Sequence, residues 1–230
     1  MTESVIIDVQ NVTRLYQQGI VEVAALRDLS LQIEAGEFTA ICGPSGSGKT
    51  TLLNMIGALD QPTSGRVIIE GQDLGDLDRQ QLSHLRRDRI GFVFQSYNLI
   101  PVLTAYENAE LVLSVQGASQ SERKEKVMVL LQAVGLEGLE DRRPSELSGG
   151  QQQRVAIARA LASGPAVILA DEPTANVDSE TAVLLLDLMQ KLNQSHEATF
   201  VFSTHDPRVM ERARRLVRMV DGQIGSDELK

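Results

Sequence analysis

The sequence predicts an α/β fold with a mainly parallel sheet, an antiparallel β subdomain at its N-terminal end and an α-helical subdomain inserted within it. Three observations carry this. Short apolar runs broken by turn residues occupy residues 5–42. A glycine-rich stretch at 43–48 then joins an apolar run to a segment of helical apolar spacing. Two wholly apolar runs, near residues 167 and 199, flank a helical pattern, as in a βαβ unit whose strands are covered on both faces.

In chain order, residues 5–12, 29–33 and 38–42 read as strands, partly antiparallel, with breaks at Gln17-Gln18-Gly19 and Gly36. The spacing over 50–59 predicts a helix, and 66–70 a further strand ending in the turn Gly71-Gln72-Asp73. From about Gln95 to Ala162 the pattern becomes helical, with segments at 104–113, 121–134 and 149–162. Strands at 167–170 and 199–203 then enclose a helix at 179–193. The organisation expected is one domain of 230 residues, with 1–94 and 163–230 as the α/β core and 95–162 as the helical subdomain. No repeat runs at a fixed period.

Composition narrows the function classes. With 42% hydrophobic and 23% charged residues and seven prolines, the chain has the profile of a soluble globular protein. Twenty-two Lys and Arg stand against 31 Asp and Glu, a formal charge of −9, which disfavours binding to nucleic-acid phosphates. The single cysteine, Cys42, has no partner for an internal disulfide, and Met1-Thr2-Glu3-Ser4 lacks the basic and apolar regions of a signal peptide, so a cytoplasmic location is expected. No apolar stretch approaches the roughly 20 residues that cross a bilayer. A membrane role has to come through a partner.

Three motifs carry chemistry. Gly43-Pro44-Ser45-Gly46-Ser47-Gly48-Lys49-Thr50 fits the pattern G-x-x-x-x-G-K-[ST] completely. Its glycines let backbone N–H groups turn toward phosphate oxygens, and the positive end of the following helix, through Thr51, points at the same anion. Lys49 is placed to reach β- and γ-phosphates and the Thr50 hydroxyl to ligate Mg²⁺. In the second motif, the apolar run 167–170 delivers Asp171 and Glu172 at a strand's carboxyl end. Alone this is as readily a solvated strand end; beside a phosphate loop, Asp171 suits a water-mediated metal contact and Glu172 suits polarising an attacking water. The third motif, Leu147-Ser148-Gly149-Gly150-Gln151, opens a helix. Ser148 fits an ordinary N-cap, but the glycine pair points to a second anion site.

In order and spacing these motifs resemble the ATPase subunits of ABC transporters, over essentially the whole chain. The resemblance implies a P-loop NTPase core, ATP and Mg²⁺ as ligands, and two copies packed head to tail. Each ATP then lies between one copy's phosphate loop (Gly43, Ser45, Gly46, Ser47, Gly48, Lys49, Thr50 and Thr51) and the other's Ser148, Gly149, Gly150 and Gln151. It also implies Gln95 as a residue contacting metal and attacking water and sensing the membrane partner, His205 as the γ-phosphate switch, and Tyr16 as the aromatic stacked on adenine. Asp178 lies in the loop that reaches across the dimer. His84 and His196 read as solvated, and Cys42 as a core thiol, with a nucleotide-blocking modification as the alternative.

Residues 91–101 and 103–108, with Ala170-Asp171-Glu172-Pro173-Thr174, are similar to the lipoprotein-releasing and macrolide-exporting branch, which implies a separate membrane permease and peripheral attachment to the membrane through it. Pro173-Thr174-Ala175-Asn176-Val177-Asp178 departs from the Pro-Thr-Gly-Asn-Leu-Asp of that branch at two small apolar positions. Amino-acid importer subunits share Leu-Ser-Gly-Gly-Gln-Gln-Gln-Arg and form the alternative. The DNA-repair and chromosome-organising ATPases insert long coiled coils between loop and signature; here about 100 residues without a heptad run intervene.

Overall fold

The computed structural model describes residues 5–19, 21–196 and 198–230. The first four residues therefore lie outside the described residues, as does the His196 side chain.

The chain opens with a long hairpin, β1 (Val5–Gln18) and β2 (Val21–Glu34), followed by β3 (Phe38–Cys42) and α1 (Lys49–Ile56). Next come β4 (Ser64–Ile69), the two-residue β5 (Gln72–Asp73), α2 (Arg79–Arg89) and β6 (Ile90–Val93). Three helices follow, α3 (Ala105–Val115), α4 (Gln120–Ala133) and α5 (Gly149–Ala162). The chain ends with β7 (Val167–Asp171), α6 (Ser179–His196), β8 (Thr199–Thr204), α7 (Pro207–Arg212), β9 (Arg215–Val220) and β10 (Gln223–Leu229).

Two sheets result. The smaller is antiparallel in the order β2-β1-β4-β5; the larger has the order β10-β9-β3-β8-β7-β6, parallel except for β10. The expected βαβ unit is present, since β7 and β8 pair in parallel with α6 between them in sequence. Two expectations needed correction. The first two strands are much longer than their apolar stretches, because pairing with each other satisfies polar positions that carry no hydrophobic signal. The expected turn at 71–73 is partly strand β5, paired with β4. Helix α2, which was not expected from the sequence, is started by an Asp78–Gln81 capping box and held by only Leu82 and Leu85 in the core.

Strand alternation divides the interior into two layers. Phe38, Ala40, Ile168, Ala170, Phe200 and Phe202 face one cluster, shared with α3–α6. Ile41, Val167, Leu169, Val201 and Val217 face the other, shared with α1, α2 and the antiparallel sheet. Phe38 packs on Phe200 and Phe202 with ring centroids 5.6 and 4.6 Å apart, which anchors neighbouring strands β3 and β8. Residues of α3, α4 and α5 belong to the same apolar cluster as the sheet face, so the helical segment is packed on the sheet that carries the site.

Candidate functional site

Four neighbouring parallel strands end at one edge, and each delivers a predicted residue there. β3 runs into the glycine-rich loop, β8 into His205, β7 into Asp171 and Glu172, and β6 stops two residues before Gln95. The pairings Cys42 with Thr204, Asp171 with Ser203 and Val93 with Ala170 keep these ends level. The carboxyl edge of an open parallel sheet is where such folds bind ligands.

The loop is built for an anion. Gly48 takes φ 97, and a Cβ there would stand 2.5 Å from the Ala25 carbonyl oxygen, so only glycine fits. Side-chain caps close the starts of α2, α3, α4 and α5, whereas α1 begins at Gly48 with none. Its first-turn N–H groups are therefore free for a ligand. Lys49 Nζ donates to the carbonyls of Gly43 (2.8 Å) and Pro44 (3.0 Å), which folds the buried ammonium over the loop. Beneath the loop, Gly222 N–H in the turn between β9 and β10 donates to Ser47 O (3.1 Å).

Thr50 Oγ1 lies 3.2 Å from both carboxylate oxygens of Asp171. Glu172 has left-handed backbone, φ 46, a strained conformation for a residue with a side chain. Its Oε1 accepts a hydrogen bond from His205 Nδ1 (2.7 Å), and Thr204 Oγ1 donates weakly to Oε2 (3.4 Å). The Glu172 side chain is 15% exposed and that of His205 73%, so the carboxylate is shielded and the imidazole faces the open side.

A cavity of about 600 Å³ is lined by Ser45, Gly46, Gly48, Lys49, Thr50 and Thr51 together with Gln95, Glu172 and His205; Gly43, Ser47 and Asp171 do not line it. Pro44 of the loop completes it with Ala25 and Ser203, which belong to no predicted motif. Ser203 was legible only as a polar residue at the end of an apolar run; its Oγ is buried without a hydrogen-bond partner, as is that of Ser47 under the loop. The Thr50 hydroxyl, the Asp171 carboxylate and the Gln95 side chain supply oxygen donors of the kind that suits a hard cation. No cluster of three or more His, Cys, Asp or Glu suited to a metal occurs among the described residues.

The remaining predicted residues stand apart from this cavity. Tyr16, on β1, donates from Oη to Asp60 Oδ2 (2.7 Å), and the Arg14 guanidinium lies over its ring at 4.6 Å. Ser148 is an N-cap: its Oγ accepts from the Gln151 N–H (3.3 Å) and the Gln151 side chain accepts from the Ser148 N–H (2.8 Å). This is the ordinary N-cap that the sequence allowed for Ser148; the N–H groups of Gly149 and Gly150 remain in the first turn, which has no intrahelical acceptor. Asp178 caps α6, accepting from Thr181 Oγ1 (2.6 Å) and N–H (2.9 Å), and these bonds lower its pKa. His84 is exposed on α2. Cys42 is buried, and burial raises the pKa of its thiol.

Comparison with known proteins places this geometry. A family model described as ABC transporter matches residues 26–175. The chain is 47% identical over 226 residues to an ABC transporter ATP-binding protein, MJ0796, of Methanocaldococcus jannaschii, covering 96% of each. It is 49% identical over 222 residues to a macrolide export ATP-binding/permease protein, MacB, of Hyphomonas neptunium, of which it spans 34%. Among solved structures it is similar to the dimeric post-hydrolysis state of MJ0796 bound to ADP and Pi, with a TM-score of 0.91, 46% identity and coverage of 97% of this chain and 98% of that one.

Proposed function

This chain belongs to the ABC transporter family as an ATP-binding subunit, and from that premise we propose that it hydrolyses ATP in a head-to-tail dimer to power a separate membrane permease of the lipoprotein-release or macrolide-export type. One observation carries the reading. The phosphate cavity gathers the loop, Gln95, Glu172 and His205 but none of Ser148 to Gln151, although the latter form a second helix start suited to anions. A second copy supplies what one chain's cavity lacks.

In this reading Lys49 leaves the carbonyls of Gly43 and Pro44 to neutralise the β- and γ-phosphates, while the uncapped turn of α1 donates its N–H groups. Thr50, Asp171 and Gln95 hold Mg²⁺, which when bound offsets phosphate charge. Glu172 accepts the proton of the attacking water, and His205 turns from Glu172 toward the γ-phosphate. Tyr16 stacks on adenine, Ser148 to Gln151 close on the partner's nucleotide, and the loop at Asp178 reaches across the interface. Residues 95–162 act as the helical subdomain that follows the permease. No helix among the described residues is long and apolar enough to cross a membrane; the protein works at the cytoplasmic face, attached through that permease.

Glu172→Gln tests this. The amide keeps the shape of the carboxylate and loses its basicity, so hydrolysis should fall by about 10²–10⁴-fold. Uncleaved ATP then bridges two copies, and a ligand that binds the dimer more tightly than the monomer shifts assembly toward it. Light scattering after size exclusion in ATP should find a dimer for Glu172→Gln; a monomer at saturating ATP would refute the shared site.

A further inference from the structure

The glycine pair of the signature has a second explanation inside one chain. A Cβ at Gly149 would lie 2.8 Å from Tyr97 Oη and 3.3 Å from Asn176 O, and one at Gly150 would lie 2.4 Å from Thr181 Cγ2. The chain's own side chains already occupy the space that the missing methyl groups leave.

Tyr97 is held there at both its hydroxyl and its carbonyl. Its Oη donates to Asn176 O (3.0 Å), and Asn176 Nδ2 donates to Gln95 O (2.8 Å), which closes a ring between the two loops. Arg159, about three turns along α5 from Gly149, donates from Nη2 to Tyr97 O (2.8 Å) and from Nη1 to Asn98 O (2.6 Å). Tyr97 and Asn98 both take left-handed backbone, φ 59 and 49, a conformation that costs energy in residues other than glycine and persists only where surroundings impose it. Here the Arg159 guanidinium supplies the constraint.

We propose that Tyr97 is a positioning residue: its hydroxyl, seated where Gly149 lacks a side chain, locks the start of α5 to the Gln95 loop and to the Asn176 loop. One contact then sets two half-sites together, the chain's own cavity through Gln95 and the surface offered to the partner's ATP through Ser148 to Gln151. This rests on the reading of those residues given under Proposed function. Tyr97 does not line the nucleotide cavity, so it acts on turnover and leaves ground-state binding alone.

The test compares steady-state MgATP hydrolysis of Tyr97→Phe, Gly149→Ala and the double variant. Tyr97→Phe should lower kcat several-fold with KM unchanged. Gly149→Ala, which forces a methyl group against the hydroxyl, should lower kcat by about tenfold or more, the scale of an overpacked contact. Removing that hydroxyl opens the space, so the double variant should turn over several-fold faster than Gly149→Ala alone. A double variant no faster than Gly149→Ala, or a Gly149→Ala that works like wild type, would overturn the proposal. Should Gly149→Ala fail to fold, the kcat-against-KM split of Tyr97→Phe decides, and a raised KM at unchanged kcat counts against it. Failure of Glu172→Gln to dimerise with ATP faults the underlying reading, whereas a normal dimer without rescue faults this proposal alone.

Discussion

Asp60 governs how Tyr16 stands. Its carboxylate accepts from both Tyr16 Oη (2.7 Å) and Arg14 Nη2 (2.8 Å), and the Arg14 guanidinium covers one face of the ring at 4.6 Å. Only the other face is then available to a base. Stacking on a purine is worth about 1–3 kcal/mol and discriminates poorly between bases, so Tyr16→Ala should weaken ATP and GTP alike in a calorimetric titration. Tyr16→Phe keeps the ring and gives up one hydrogen bond, worth about 0.5–1.5 kcal/mol of stability; its affinity should stay near wild type. Normal nucleotide binding by the Ala variant would remove Tyr16 from the site. The aromatic residue was visible in the sequence, but its pairing with Asp60 was not, because a partner 44 residues away leaves no local pattern.

The turn from β8 into α7 shows how a short element is held at the site's edge. Asp206, next to His205, caps α7, pairs with Arg208 (2.7 Å) and accepts from Thr174 Oγ1 (2.8 Å), which ties it to the loop after Glu172. Burial disfavours its charge, but the Arg208 and Thr174 bonds outweigh burial and hold its pKa at about 2. A carboxylate with a depressed folded-state pKa stabilises above its unfolded value, here 3.8, and loses that contribution as pH falls toward about 2. The urea midpoint of wild type should therefore exceed that of Asp206→Asn by a constant margin down to about pH 4. Between there and pH 2 the margin should shrink; one independent of pH across this window would refute the assignment. None of α7, β9 or β10 was expected from the sequence. The helix has six residues, and the hairpin that supports Ser47 is recognisable only from its pairing.

At the scale of the molecule, a parallel sheet turns separation in sequence into a row in space. Residues 43–51, 95, 171–172 and 205 meet because β3, β8, β7 and β6 are neighbours with level ends. Ser148 to Gln151 lie outside that row, and under the proposed function they join a site only across a dimer. Ser148→Arg, placed in the Glu172→Gln background, should abolish the ATP-bound dimer, because the proposed site seats the partner's γ-phosphate where the bulky side chain would go. The exposed side chain can be enlarged without disturbing the core, so calorimetry should still find ATP bound to the monomer. A persisting dimer would mean that Ser148 does not face the second nucleotide.

By itself the sequence determined the motifs, the strand–loop–helix order around Gly43 to Thr50, the βαβ unit and the helical segment, because each rests on contiguous residues whose period or spacing is their physical requirement. It also made the family resemblance plain. Tertiary structure alone decided which strand ends adjoin, that Ser203 and Ala25 enter the cavity, and that Gly149 and Gly150 make room for Tyr97 and Thr181. Those facts depend on pairings and close approaches between residues far apart in the chain, which no single stretch of sequence encodes.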